Sequence, residues 1–497
     1  MVDHFPVLIV ITPLVASFVI FLTSWWSQKA AGPVAIVAMG GCLLFSAAIL
    51  HTVIQKGSMQ YFLGGWQPPW GIEYRIDHLN GLMLVLVSGL GLFVAISGQA
   101  SVRRELSRKT ALFWSLFVLL ITGLLGICIT GDLFNLFVLL EVASLAGYAL
   151  IAMGEDQALF ASFRYVVVGT LGASFYLLGI GHLYIATGSL NMADLAQLLP
   201  ELYASRTVLA GFAFILIGLG IKMALFPLHG WLPDAYTYSS STATAIVAPL
   251  MTKVMAYVLV RVMFTVFKVE FSIATLQATD VLVWLGTAAI IFGAVMALSQ
   301  SDFKRMLSYV IITEIGFIVG GLGLANATAF TGAILHILND AVMMTILFLV
   351  AGLVMYKTNG HEIKNFEGLF KTMPVTAFIF TMGALAVIGV PPTGGFFSKW
   401  YLLLGAIETH QWGFVVALLV CTLINIALFL RVFDKCLFTH ANPKTSGGDR
   451  FAGNWWMPEA PVGMLFPAFM LVLVILLMGI FNQAIIKVIF FTVPVGL

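Results

Sequence analysis

Apolar runs, each close to the length of a membrane-crossing helix, follow one another along nearly the whole chain with only short polar stretches between them. A helix needs about 20 mostly apolar residues to cross the hydrocarbon core, and about fourteen segments meet that criterion. The first seven are expected at Pro6–Trp25, Ala31–Ile54, Leu79–Ser97, Thr110–Thr130, Leu133–Met153, Phe160–Thr187 and Thr207–Phe226. The others are Ser241–Phe267, Asp280–Leu298, Met306–Leu324, Thr328–Tyr356, Val375–Ile407, Trp412–Phe438 and Val462–Phe481. The expected fold class is therefore all-α, a polytopic membrane protein of about 14 transmembrane helices. No connection is long enough to fold as a soluble unit, so residues 1–497 read as a single membrane domain. The longest connection, Thr439–Pro461, has room for a short amphipathic stretch.

Composition supports this reading. Hydrophobic residues make up 61% of the chain and charged residues 9%, against about 25% charged in ordinary soluble domains. So few charges cannot cover a water-exposed surface. The net charge of +2 says little about partners; with no basic tail and no nucleic-acid signature, no nucleic-acid partner is expected. Cys42, Cys128, Cys421 and Cys436 form no Cys-x-x-Cys pair, so neither a metal nor another cofactor is expected. The first run follows Asp3 and His4 rather than a basic segment, and reads as a retained span.

Basic residues mark the orientation. Arg103, Arg104, Arg108 and Lys109 share one loop, and alternate loops then collect Lys29, Arg164, Lys304, Arg305, Lys357, Lys364, Lys371, Arg431, Lys435, Lys444 and Arg450. The opposite side carries only Lys56, Arg75, Arg206, Lys268 and Lys487. By the positive-inside rule the richer side is cytoplasmic, and both termini face outward from a cell inner membrane.

Lys222, Lys253, Arg261 and Lys399 remain inside spans, with Glu141, Glu314, His336, Asn339 and Asp340, while His229 follows the seventh span. A charge at the bilayer centre is unfavourable by about 2.5–3.5 kcal/mol on insertion scales. Such groups turn toward partners or water, and they serve either as an ion path or as structural pairs between helices. Their number favours the ion path, with protons as the ion. Lysine suits it because burial shifts its pKa readily, and histidine titrates near neutrality. Glu141 and Lys222 are the first candidate pair, since a proton gained or lost on one changes the field at the other. His336 is a candidate bridge between the two halves. His182 reads as packing, Arg261 as structural and Asp132 as a helix cap.

Three spans carry proline near these groups and are expected to be interrupted there. The seventh reads Phe226-Pro227-Leu228-His229-Gly230-Trp231-Leu232-Pro233-Asp234-Ala235, with Lys222 upstream. The eighth has Pro249 before Lys253, and the twelfth reads Gly389-Val390-Pro391-Pro392-Thr393-Gly394-Gly395-Phe396-Phe397-Ser398-Lys399. Proline removes a backbone donor, and freed carbonyls inside a membrane persist only within protein or around water. Interrupted helices at matching places in two halves mark transport sites in many carriers.

These runs, with Glu141, Lys253 after Pro249 and the segment Ser301-Asp302-Phe303-Lys304-Arg305-Met306-Leu307-Ser308-Tyr309, resemble the antiporter-like subunits of respiratory complex I. Length, Lys399 and Asn191-Met192-Ala193-Asp194-Leu195 are most similar to the D-type subunits of Mrp-type multisubunit sodium/proton antiporters, and membrane-bound hydrogenases carry similar subunits. The resemblance implies two inverted five-helix repeats, 110–267 (helices 4–8) and 280–438 (helices 9–13), with helices 7 and 12 broken. It implies a midplane path in which Glu141 and Lys222 form the coupling pair, Lys253 and His336 continue it, and Lys399 ends it. The eleventh span departs from the pattern. Asn339-Asp340 and Met344 stand where a histidine or His-Asp and then a lysine are usual, and Glu314 stands where the pattern is neutral or histidine. That directs the central relay through Asp340, His336 and Glu314. The implied role is a non-enzymatic, proton-translocating subunit of a multisubunit monovalent cation (sodium)/proton antiporter, in which the sodium site can lie in a neighbouring subunit. Its partners would be other membrane subunits and lipids. The alternative is a pumping subunit of a redox complex. A chain that itself binds haem or quinone would need facing histidines or a cofactor motif, and neither is present.

Overall fold

A computed structural model describes residues 4–25, 27–272, 278–438 and 459–497. The expected amphipathic stretch in Thr439–Pro461, with Lys444 and Arg450, lies almost wholly outside the described residues. The described chain is nearly all helix. It opens with α1 (Phe5–Thr23), α2 (Ala31–Lys56), a hairpin of β1 (Met59–Phe62) and β2 (Glu73–Ile76), and α3 (His78–Glu105). Then come α4 (Thr110–Ile129), α5 (Leu133–Ala152), α6 (Ala158–Thr187), the short α7 (Met192–Leu198), α8 (Arg206–Lys222), α9 (Leu232–Tyr238) and α10 (Ser241–Val260). A π turn, Arg261–Val266, and α11 (Lys268–Glu270) close that half. The rest comprises α12 (Ala278–Leu298), α13 (Phe303–Gly323), α14 (Ala327–Thr358), α15 (Leu369–Thr372), α16 (Pro374–Ile388), α17 (Gly394–Glu408), α18 (Trp412–Phe438), α19 (Val462–Ile480) and α20 (Asn482–Phe490).

Among the described residues, 12 helices are long and apolar enough to cross a membrane. The two remaining expected spans are the interrupted ones. The seventh stops at Lys222 and resumes at Leu232, and the twelfth is split into α16 and α17. The expected interruption at Pro249 does not occur, because α10 runs unbroken from Ser241 to Val260. Every residue of α10 is buried, so neighbouring helices hold the turn that proline weakens. The hairpin and α20 have no counterpart in the hydropathy pattern.

One local device appears in both halves. Asp132 caps α5 by accepting from Asn135 N, while Leu133 N and Met192 N donate to Leu190 O and Gly131 O. Asp302 caps α13 by accepting from Arg305 N, while Phe303 N and Ile363 N donate to His361 O and Ser301 O. The two devices lie at opposite ends of the bundle. The β2 strand, beside the first, leads into α3, a helix about 42 Å long. Its far end, Glu105, accepts from Ser241 N, next to the Ser239 carbonyl held by Lys304 at the start of α13.

Small residues bring the site helices close. A Cβ on Gly218 of α8 would lie 2.6 Å from Gly172 O of α6, and one on Gly316 of α13 would lie 2.7 Å from Gly286 O of α12. Such approaches supply packing between helices in a solvent as apolar as their side chains. The core helices α10, α13 and α14 are buried over their whole spanning windows, while α1, α2 and α6 expose much of theirs. The inner helices therefore meet only protein, and they carry Lys253, Glu314, His336 and Asp340.

Candidate functional site

Four of the ionisable residues sit deep within their helices. At 1.5 Å per residue, Glu141 lies about 12 Å into α5, Lys253 about 18 Å into α10, Glu314 about 16 Å into α13 and Asp340 about 20 Å into α14. Half the hydrocarbon thickness is about 15 Å. All four thus fall near one plane.

The helix breaks place the first and last lysines. Lys222 is the final residue of α8, and the Lys399 ammonium donates to Val387 O, at the end of α16, at 2.5 Å. The last carbonyls of a helix have no partner within it and form its negative pole, which attracts cations. Trp231 Nε1 donates to Ile221 O at 3.0 Å and takes up one such carbonyl of α8. Arg164 and Arg305 both pair with Asp234, at 2.7 and 3.2 Å, and so tie α9 to α6 and α13.

Along the midplane, the Lys222 ammonium lies 3.5 Å from Glu141 Oε1 and donates to Ser144 Oγ at 2.8 Å and Tyr148 Oη at 3.3 Å. The Lys253 ammonium lies 2.6 Å from Asp340 Oδ2, and both side chains are 0% exposed. One turn along α14, His336 Nε2 lies 2.7 Å from Glu314 Oε2, and its Nδ1 lies 2.9 Å from Ser398 Oγ. Glu314 Oε1 is 3.7 Å from the Lys399 ammonium, which also rests 5.0 Å from the centre of the Phe317 ring. Lys253, Asp340, His336, Glu314 and Lys399 form a continuous buried run, alternating in charge type, across α10, α14, α13 and α17.

Seven of the eight candidate residues therefore lie in two linked groups, Glu141–Lys222 and Lys253 through Lys399. His229 is separate. Its half-buried ring stacks on Phe226 at 5.5 Å and meets Phe292 at 4.9 Å, and it contacts none of the other seven. The bridge between the halves is the Lys253–Asp340 pair, with His336 one step further in. Arg261 pairs with Asp77 at 2.5 Å, as a structural group would. The His182 ring packs on Phe214, with Nδ1 2.8 Å from Leu178 O.

Ser144, Tyr148 and Ser398 were missed in the sequence. The first two follow Glu141 by one and two turns on the same helix face, a spacing that would have revealed them. Lys304, expected in a loop, is 3% exposed, and its ammonium donates to Ser239 O at 2.5 Å. No group of three or more His, Cys, Asp or Glu that could hold a metal ion occurs among the described residues.

Residues 130–425 match the family described as NADH:quinone oxidoreductase/Mrp antiporter, TM. The chain is 43% identical to NADH-quinone oxidoreductase subunit N of Desulforudis audaxviator, over 98% of each protein. It is 33% identical to the D-type subunit of the Na(+)/H(+) antiporter of Alkalihalophilus pseudofirmus, over 91% of each. A chain in the solved structure of the membrane-bound sulfane sulfur reductase, an archaeal respiratory membrane complex, superposes with a TM-score of 0.88 at 29% identity, covering 97% of this chain and 96% of that one. Such full-length similarity, joined to a midplane run of acids, lysines and a histidine at two broken helices, makes the chain a member of the NADH:quinone oxidoreductase/Mrp antiporter membrane family.

Proposed function

We propose that this chain is a proton-translocating subunit of a hetero-oligomeric membrane assembly, with Glu141, Lys222, Lys253, Asp340, His336, Glu314 and Lys399 carrying the proton. The observation that carries the proposal is the Lys253–Asp340 pair, which joins the two halves through side chains with no access to solvent. Each neighbour in the run holds the next in a preferred charge state, so a proton arriving at one group alters the stability of the charge beside it. His229, packed against Phe226 and Phe292, is assigned no step in this path. The residue ranges 110–267 and 280–438 are taken as the two inverted repeats, each supplying one broken helix and one terminal lysine.

Two driving reactions fit such a path. A redox-linked assembly is supported by the 43% identity to an NADH-quinone oxidoreductase subunit over essentially the whole chain. A sodium/proton antiporter is supported by the 33% identity to a Na(+)/H(+) antiporter subunit. The two differ in their partners: co-purification with iron–sulfur or flavin proteins supports the first, and with small membrane proteins alone the second. The basic loops support placement in an inner membrane with both termini outside.

The test uses the intact assembly in sealed vesicles. Lys222→Ala and Glu141→Ala are expected to abolish proton movement while the subunits still co-purify. Full proton flux in either variant would defeat the proposal.

A further inference from the structure

A cavity of about 280 Å³ lies between the β hairpin and α7, at the end of the bundle where Asp132 caps α5. Its polar lining comes from Gln60 of β1, Glu73 of β2, and Asn191, Asp194 and Gln197 at α7, and no basic residue lines it. None of these residues belongs to the midplane run.

Glu73 is the buried end of the cavity, at 3% exposed. Asn191 Oδ1 accepts from Ala193 N and Asp194 N, each at 3.0 Å, and so caps α7. That fixes the amide, and its Nδ2 donates to Glu73 Oε2 at 2.9 Å. Glu73 Oε1 is buried without a hydrogen-bond partner. Arg75, two residues along the strand, is exposed and does not line the cavity. The strand is held in place by its backbone: Gly131 N donates to Glu73 O, and Met192 N donates to Gly131 O, both at 2.8 Å. A carboxylate buried with one neutral donor is strongly unfavourable unless a positive charge reaches its free oxygen.

We propose that this cavity binds one calcium ion, with Glu73 and Asp194 as the charged ligands. The side chains facing it offer oxygens as ligands and neither imidazole nor thiolate, which suits a hard cation rather than zinc or copper. Two carboxylates balance a double positive charge. Gln60 and Gln197, both exposed at the rim, supply amide oxygens, and water completes a shell of about six to eight oxygens. Calcium accepts such a mixed and irregular set, whereas magnesium demands a near-ideal octahedron. Bound there, the ion ties the hairpin to α7 beside the turn that starts α5. The proposal is independent of the proton path.

The test uses the full chain in detergent, stripped of divalent ions by a chelator, with calcium chloride as the probe. Equilibrium dialysis with radioactive calcium is expected to show one ion per chain with a Kd of about 10⁻⁴–10⁻³ M, the range of open extracellular sites. The thermal unfolding midpoint should rise over the same calcium range. Glu73→Gln keeps the shape and an oxygen for Asn191 but removes the charge, and should abolish both effects. Asp194→Asn, at a half-buried position, should weaken binding by about tenfold or more. Absence of saturable binding to the parent chain would overturn the proposal and leave Glu73 a protonated acid. Binding unchanged in Asp194→Asn would also overturn it, and that variant decides the matter if Glu73→Gln fails to fold. So would equal stabilisation by sodium chloride at matched ionic strength, which marks screening rather than a site.

Discussion

Replacing Asp340 by asparagine isolates what the Lys253–Asp340 pair contributes. The two charged groups are 2.6 Å apart and both 0% exposed. At an effective dielectric constant of about 20, that separation gives about 6 kcal/mol of attraction. Burying each ion opposes this by several kcal/mol, so the intact pair is close to balanced against an apolar substitute. Removing one partner is different, because the other charge is left buried alone. Asp340→Asn is therefore expected to destabilise by about 3–5 kcal/mol. The double variant Lys253→Met/Asp340→Leu fills similar volume without charge and should return to within about 1 kcal/mol of the parent. Unfolding in mixed detergent micelles measures all of these, and the single variants Lys253→Met and Asp340→Leu complete the cycle. Proton flux in vesicles is measured on the same five proteins. Stability should recover in the double variant while flux stays abolished. Recovery of both would make the pair a structural clasp and refute its place in the path. A change below about 1 kcal/mol in each single variant would show that the two groups are not a dry, coupled pair.

His336→Gln keeps a polar side chain between Glu314 and Ser398 but removes the titrating ring, so flux should fall by about 10²-fold or more while the assembly stays intact. Undiminished flux would exclude His336 as a carrier. At Asp77, burial favours the protonated carboxyl, but the Arg261 guanidinium and the Leu79 and Asn80 backbone N–H groups outweigh it and hold the carboxyl below its usual range. Its folded-state pKa is lowered, so its stabilisation is complete above about pH 3.9 and is lost as pH falls through the folded value. Asp77→Asn should thus be less stable than the parent at neutral pH and converge with it in acid; equal stability at pH 7 would contradict the pairing. Leu145 shares the outer face of α5 with Glu141 and is 60% exposed, so Leu145→Cys should cross-link to a neighbouring subunit in the intact assembly. Labelling there by a lipid-borne reagent alone would show that the face meets lipid instead.

The spans were readable because a membrane makes length and apolarity nearly sufficient for a helix. The breaks after Lys222 and before Lys399 were readable because proline and glycine cluster there. Pro249 carries the same signal without a break, since all of α10 is enclosed by other helices, and enclosure is a property of packing that one segment does not display. His229 stands apart from the other candidates for a related reason. It follows Pro227 next to a broken helix, yet the turn directs its ring to Phe226 and Phe292. Pairings were less legible than residues. Glu141–Lys222 was expected, whereas the match of Lys253 to Asp340 depends on how α10 meets α14, across 87 residues of chain.

The two halves differ in where they place their acid, and the difference bears on direction. Asp132 and Asp302 cap α5 and α13 in the same way. Counted from those caps, Glu314 corresponds to Ser144, not to Glu141. The acid of the first half therefore lies about one turn nearer its cap. That shift leaves Glu141 28% exposed on a face it shares with Phe134, Val138 and Leu145, which are themselves exposed. Glu314 is instead 0% exposed and held between His336 and Lys399. A carboxylate facing lipid is unfavourable by about 2.5–3.5 kcal/mol, so the Glu141 face calls for a protein neighbour and Glu314 does not. On the proposed path, Glu141 would sense what lies outside the chain and Glu314 would pass charge within it. Such a path, with one end open to a neighbour and its centre closed to solvent, would have the asymmetry needed to link proton movement to an event in another subunit.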